Sequence, residues 1–427
     1  METERYREKV NNRNMKLENL ICWSIQIWLR IFGIWPESSC IMSRRLFWII
    51  ALMIEQILQY RYIMISFYNV DITEVINTLS ETVPYSILLV KLGTFWCKQR
   101  TFNKILTMMA VDWEKCSSTE HSMFTMACKA KLSQRLANLT ITLYSAAVIL
   151  HSSDVLVYRL DVSRTSNVTA RPFILKMNVP FDSNKRFVYE SVVITQFVHL
   201  YLCSCTIGVI NILLINLILH VAGQIDILCE WLVKIYPMKG KRHLDLAVIR
   251  KVVKMHQKII TFSKHIEELY SDIVIALFVS DTLVICCLGF VIAVSIGTPG
   301  ASETIIKTLL FYIVINLEAF TYCFAGEYLS AKSKTIGDAV YDSLWYESDS
   351  KDCRVILLLI MRSQNQLAIT IGKVMDLSLE RFASVRSLTL RTDTSNALIV
   401  SITVQLRYCK GFSFLRVGSA RDVLKRD

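Results

Sequence analysis

Apolar blocks long enough to cross about 30 Å of hydrocarbon recur along this chain. Six stand out, at Leu46–Tyr68, Val75–Cys97, Leu136–Tyr158, Val192–Val221, Ile273–Ile296 and Ile305–Gly326. A seventh, the most polar, is expected near Leu367–Val400. A backbone in lipid must satisfy its own hydrogen bonds, so these blocks are expected to be helices. The expected class is an all-α membrane protein with seven transmembrane helices in a single domain, 1–427. Composition agrees, since 53% of the 427 residues are hydrophobic and 20% charged, where a soluble domain has about a quarter charged. The polar N-terminal segment shows no cleaved signal peptide.

The net charge of +12 is distributed by loop, which favours membrane orientation over nucleic-acid binding. Lys and Arg stay on the cytoplasmic side of a membrane. The segment before the first block and every second connection after it carry 29 Lys and Arg, among them Arg5, Arg44, Lys98, Lys239 and Lys332. The alternate connections carry six, all between the third and fourth blocks. The N-terminus is therefore expected in the cytosol, and with seven spans the C-terminus lies outside. This inverted topology argues against a G-protein-coupled receptor.

Within the blocks, Glu55, Glu81, Asp281 and Glu318 are costly in lipid, so each is expected to face protein or water. Helix–helix hydrogen bonding is one reading; an ion path or a ligand contact is the other. Between the fourth and fifth blocks, Leu246, Ile249, Val253, His256, Ile260, Ser263 and Ile266 step by three and four, the pattern of an amphipathic helix. Cys203, Cys205, Cys286 and Cys287 sit inside apolar blocks and read as small hydrophobes. GxSxG, HExxH, P-loop and GxGxxG patterns are absent, and His151 and Asp154, one turn apart, read as a structural pair rather than a metal site. Neither an enzyme, a cofactor nor a metal is expected.

One stretch is specific to a family. Residues 320–347 read FTYCFAGEYLSAKSKTIGDAVYDSLWYE, followed by Ile360 to Gln364, Gly372-Lys373, Leu377 to Glu380 and Phe382. This pattern closely resembles the signature of insect odorant receptors. Looser matches lie at Gly33 to Pro36 and Val179 to Asp182, so the resemblance covers about residues 20–385. It implies a tuning subunit of a ligand-gated, non-selective cation channel in the dendrite membrane of olfactory sensory neurons. The partner implied is a co-receptor subunit, in a heterotetramer, and the ligand a small, mostly apolar volatile molecule. A gustatory receptor of the same superfamily and a non-functional receptor copy are the alternatives. The co-receptor itself resembles a longer chain with a large insertion between the fourth and fifth helices, which this sequence lacks.

The resemblance divides the chain into a cytosolic segment (1–45), helices one to six (46–326), a cytosolic anchor (327–366), a final helix (367–400) and a tail (401–427). In the anchor, Tyr341, Trp345 and Tyr346 are candidate interface residues, joined by Ile249, Val253 and Ile260. The ligand pocket is expected in the outer half of the bundle. Tyr189, Val193, Phe197 and Tyr201 recur every four residues there, and Tyr85, His151, Phe311 and Tyr312 are the other candidates. The sequon at Asn167 is expected to carry glycan, and that at Asn138 is not. After Val385 the match fades. Arg386 and Arg391 fall where the pore helix is expected, at a cost of roughly 2.5–3.5 kcal/mol each. The apolar patch Ala397–Leu406 is too short to span, so the tail is expected to be aberrant and the subunit to gate poorly.

Overall fold

A computed structural model describes residues 21–36, 40–69, 72–117, 119–153, 155, 173–180, 185–234, 246–296, 301–343, 345–347, 350–371, 375–380 and 383. Its helices are α1 (Trp23–Ile31), α2 (Ile41–Tyr68), α3 (Ile72–Cys97), α4 (Gln99–Cys116), α5 (Glu120–His151), α6 (Arg186–Lys234), α7 (Leu246–Ser295), α8 (Ala301–Asp342) and α9 (Ser350–Ser363). A short 3₁₀ turn, Trp345–Glu347, precedes α9. Strands β1 (Thr370–Ile371) and β2 (Met375–Asp376) pair antiparallel, with Ile371 opposite Met375. By length and composition α6, α7 and α8 each suffice to cross a membrane.

Helix α6 is the axis of the bundle. It is apolar on all sides, as a helix surrounded by other helices must be, and residues such as Val209, Leu213, Leu217 and Ile225 are fully buried. Helices α5, α7 and α8 pack around it, and α3 lies along α7 and α2. Glycines set how near α5 comes. A Cβ on Gly208 would meet the Tyr144 ring at 2.8 Å, and one on Gly223 would meet Met126 Sδ at 2.7 Å. Small residues at such crossings let helices approach closely. Helix α2 shows the opposite pattern. Phe47, Ile50, Ile54, Ile57 and Met64 are exposed along it, a face suited to lipid.

The Gly33–Pro36 match is a turn that ends α1. Gly33 takes φ +64°, and a Cβ there would also crowd Ile41 O at 3.3 Å. The turn buries Phe32, Ile34 and Trp35, and Phe32 stacks on Trp48 at 4.0 Å.

Signature residues on α8 hold the segment that follows α9. Gly326 leaves room for Leu377, whose carbonyl oxygen would lie 2.6 Å from an added Cβ. Ser333 Oγ accepts the Leu367 N–H at 3.0 Å, Ser330 Oγ donates to Gln366 Oε1 at 2.6 Å, and Thr370 donates to Glu267 on α7. Thr370 of β1 and the flanking Gln366, Leu367 and Leu377 are thereby fastened to α7 and α8.

Several expected boundaries shift. The third span was placed at Leu136–Tyr158, whereas α5 begins at Glu120 and ends at His151. Helices α7 and α8 continue beyond their apolar blocks as single rods, so the amphipathic Leu246–Ile266 stretch is the first half of α7. Helix α4, in the connection between the second and third blocks, was not anticipated. The final helix was expected from Leu367, but residues 367–369 and 377–378 are neither helix nor strand, and 370–371 pair as a strand with 375–376. Thr370 and Ile371 are β-branched, which favours that conformation over helix. Arg386, Arg391 and the tail lie outside the described residues, as do Asn167 and Asp154.

Candidate functional site

A cavity of about 130 Å³ opens between α3, α5, α6 and α8. Helix α3 contributes Glu81, Pro84 and Tyr85, and α5 contributes Tyr144, Ala147, Val148, Leu150 and His151. Leu200, Cys203, Ser204 and Ile207 come from α6; Lys307, Leu310, Phe311, Val314, Ile315 and Glu318 come from α8. Pro84 has no N–H to give the helix ladder, so α3, though continuous, lacks one backbone hydrogen bond where it meets the cavity. Leu175 closes one wall from the segment before α6. Gln196 holds that segment, accepting the Ile174 N–H at 3.1 Å and donating to Leu175 O at 3.1 Å.

The inner end of the cavity is polar. Lys91, fully buried on α3, pairs with Glu318 on α8 and donates to Asn211 Oδ1 at 2.8 Å. Tyr322 OH donates to the same oxygen at 3.0 Å, and Asn211 Nδ2 donates to Tyr144 OH at 3.3 Å. The ion pair, two tyrosines and an amide thus tie α3, α5, α6 and α8 together. Lys91 also sits 5.7 Å from the centroid of the Tyr322 ring.

Of the expected pocket residues, the structure brings Tyr85, His151 and Phe311 together at this cavity. The α6 stripe goes elsewhere. Tyr189 and Val193 are buried in the core, with Tyr189 packed on Phe173 at 5.6 Å. Phe197 is 36% exposed. Tyr201 lies 6.0 Å from Trp28 and accepts a hydrogen bond from Ser145 at 3.4 Å. Tyr312 packs on the small cluster around Val284 and Ile315. The four-residue spacing was real, but it ran along the sides of α6 that meet α1 and the 173–180 segment. Cys203, Ser204 and Ile207, on the neighbouring side, line the cavity instead. Glu81 and Glu318 were already marked by their cost in lipid. Lys91, inside the second apolar block, carries the same cost in lipid and was missed.

The expected interface residues also divide. Ile249 is buried among Leu232, Val252, Val340, Ile356 and Leu359 of its own chain, and Ile260 packs on the core. These two are intramolecular, because the stripe on α7 faces α6, α8 and α9. Val253, Tyr341 and Tyr346 are exposed, while Trp345 is half-buried. Leu357, Leu358 and Met361 on α9 add an apolar surface beside Tyr341 and Tyr346. Farther along the same end, Asp112 on α4 is bound by His220 at 3.3 Å and by Lys258. Burial pushes the nearby Cys116 thiol up from its ordinary value.

The sequence model of the 7tm Odorant receptor family matches residues 71–390. The chain belongs to that family. As an odorant receptor of this family it is a multi-pass, all-helical membrane protein. It is 29% identical over 147 residues to Odorant receptor 67c of Drosophila melanogaster and 32% identical over 144 residues to Odorant receptor 10 of Aedes albopictus. Those matches cover 32% and 34% of this chain, and only 35% and 37% of the relatives' lengths. The fold is similar to that of the olfactory receptor OR5 from Machilis hrabei, solved in complex with eugenol. The TM-score is 0.68 and the identity 18%, over 90% of this chain and 98% of that one. In this chain the signature residues Gly326, Ser330 and Ser333 serve packing, holding Leu377, Gln366 and Leu367 against α8.

Proposed function

We propose that the chain is the odorant-binding subunit of a ligand-gated, non-selective cation channel, assembled with a co-receptor in the dendrite membrane of olfactory sensory neurons. The observation that carries this reading is the mostly apolar cavity between α3, α5, α6 and α8. An apolar cavity of about 150 Å³ accommodates benzene, so this one suits a volatile molecule of similar size. The eugenol complex of OR5 from Machilis hrabei, a small aromatic ligand in a similar fold, supports the same reading. In this reading the cavity faces the outer side and α9 lies in the cytosol, which the charge distribution along the loops supports. Tyr341, Tyr346 and the exposed side of α9 then form the surface offered to other subunits, and Asn167 carries glycan on the outer face. The aberrant tail after Val385, with Arg386 and Arg391, makes this subunit gate poorly. Co-expression with a co-receptor, recording current against a panel of volatile compounds, tests the proposal. Odorant-evoked current that needs both chains is expected; surface-expressed complex without any response would overturn it.

A further inference from the structure

Glu81 stands apart from the other acids of the bundle. It lies about 14 Å along α3 from Ile72, at 1.5 Å per residue, and lines the cavity. Glu318, the other cavity acid, is paired with Lys91. Glu55 accepts from Gln59 at 3.1 Å, and Glu74 is bound by Tyr62 at 2.7 Å and Lys176 at 2.8 Å. Among the described residues Glu81 makes neither a hydrogen bond nor an ion pair. Lys176 attracts it from a distance but is already paired with Glu74, which repels it. Lys307, at the cavity wall, has an interaction of its own. One turn along α3, the buried Tyr85 hydroxyl also has no hydrogen-bond partner among the described residues. A polar group left alone in an apolar site is costly, and two such groups on one wall of a cavity mark a place completed by something that enters it.

We propose that Glu81 determines ligand specificity, and that the cavity takes a small hydrocarbon or aromatic molecule bearing one basic nitrogen. This rests on the reading of the cavity as the odorant site. The amine arrives either as ammonium or as a free base that takes its proton from the Glu81 carboxyl. Both routes end in the same ammonium–carboxylate pair, with the Tyr85 hydroxyl oxygen as a nearby second acceptor. The hydrocarbon body lies against Leu200, Leu310 and Phe311. An alcohol or hydrocarbon of equal size fills the same space but leaves the carboxyl unmatched, and sites built around a polar partner discriminate strongly against ligands lacking it.

The experiment records concentration–response curves for matched amines and alcohols of six to ten heavy atoms, such as benzylamine and benzyl alcohol. The receptor is co-expressed with its co-receptor as wild type, Glu81→Gln, Glu81→Asp and Val314→Trp, with surface expression verified. Wild type is expected to favour amines by about tenfold or more, the scale of a charge-assisted hydrogen bond. Glu81→Gln is expected to remove that preference while alcohol responses persist, and Glu81→Asp to keep most of it. Equal or better responses to alcohols in wild type, silence toward every amine, or an unchanged ratio in Glu81→Gln would overturn the proposal. Val314→Trp separates the two levels. If it leaves all responses intact, the cavity is not the odorant site; if it abolishes them while the ratio in Glu81→Gln is unchanged, only the role of Glu81 fails.

Discussion

Lys91 and Glu318 form an ion pair in the interior of the helix bundle, with side chains 0% and 6% exposed. Their helices, α3 and α8, are separated by more than 200 residues of sequence, and the pair joins them beneath the cavity. Removing one partner of a buried pair strands the other charge, which costs about 3–5 kcal/mol. Lys91→Met and Glu318→Gln are each expected to lower the melting temperature of the purified receptor sharply. The double variant Lys91→Met/Glu318→Met is expected to recover much of the loss. Thermal unfolding in detergent checks this, and additive losses would contradict it.

Gly326 is expected to tolerate no side chain. An alanine there would drive its Cβ into the Leu377 backbone, and such overpacking costs about 1–3 kcal/mol. Leu377 is held against α8 by this close approach, and displacing it is expected to cut odorant-evoked current in Gly326→Ala at normal surface expression. Current matching wild type would show that the contact is dispensable.

Co-receptor assembly is expected to depend on the outside of α9. Leu358→Asp with Met361→Asp places charge on an exposed surface, leaving the fold of the chain intact while reducing co-precipitation with the co-receptor. Ile249→Asp buries a charge inside the chain and is expected to lower folded yield instead. Undiminished co-precipitation of the α9 variant would move the interface elsewhere.

Thiol chemistry separates the cysteines of α3, α4 and α5. Cys97 and Cys128 are exposed, whereas Cys116 is buried and burial raises its pKa. The thiolate is the reactive form, so a maleimide at neutral pH is expected to label Cys97 and Cys128 well before Cys116. Mass spectrometry of the folded receptor gives the order, and early labelling of Cys116 would contradict its burial beside Met126, Ile227 and Gln224.

The long apolar helices α6, α7 and α8 were legible because hydrocarbon thickness leaves a long, uninterrupted mark on sequence. The signature on α8 identified the family because its small residues and serines meet specific partners, as Gly326 meets Leu377 and Ser333 meets Leu367. The side of α6 that faces the cavity was not legible. An axial helix is apolar all round, so Tyr189, Val193, Phe197 and Tyr201 looked equivalent to Cys203, Ser204 and Ile207. Which set met the cavity depended on how α3 and α8 packed, and that was fixed by Lys91 finding Glu318. In the same way Ile249 and Ile260 showed an amphipathic stripe without showing whether it faced the chain's own core or another subunit.

The most direct test compares the odorant rankings of Phe311→Ala and Phe197→Ala. Phe311 lines the cavity and Phe197 does not, although both are aromatic residues on neighbouring spans. With the receptor and co-receptor expressed together, Phe311→Ala is predicted to reorder the responses across a panel of graded ligand size, favouring larger members. Phe197→Ala is predicted to leave the order unchanged. An unaltered ranking in Phe311→Ala, with a reordered one in Phe197→Ala, would place the odorant site on the other side of α6.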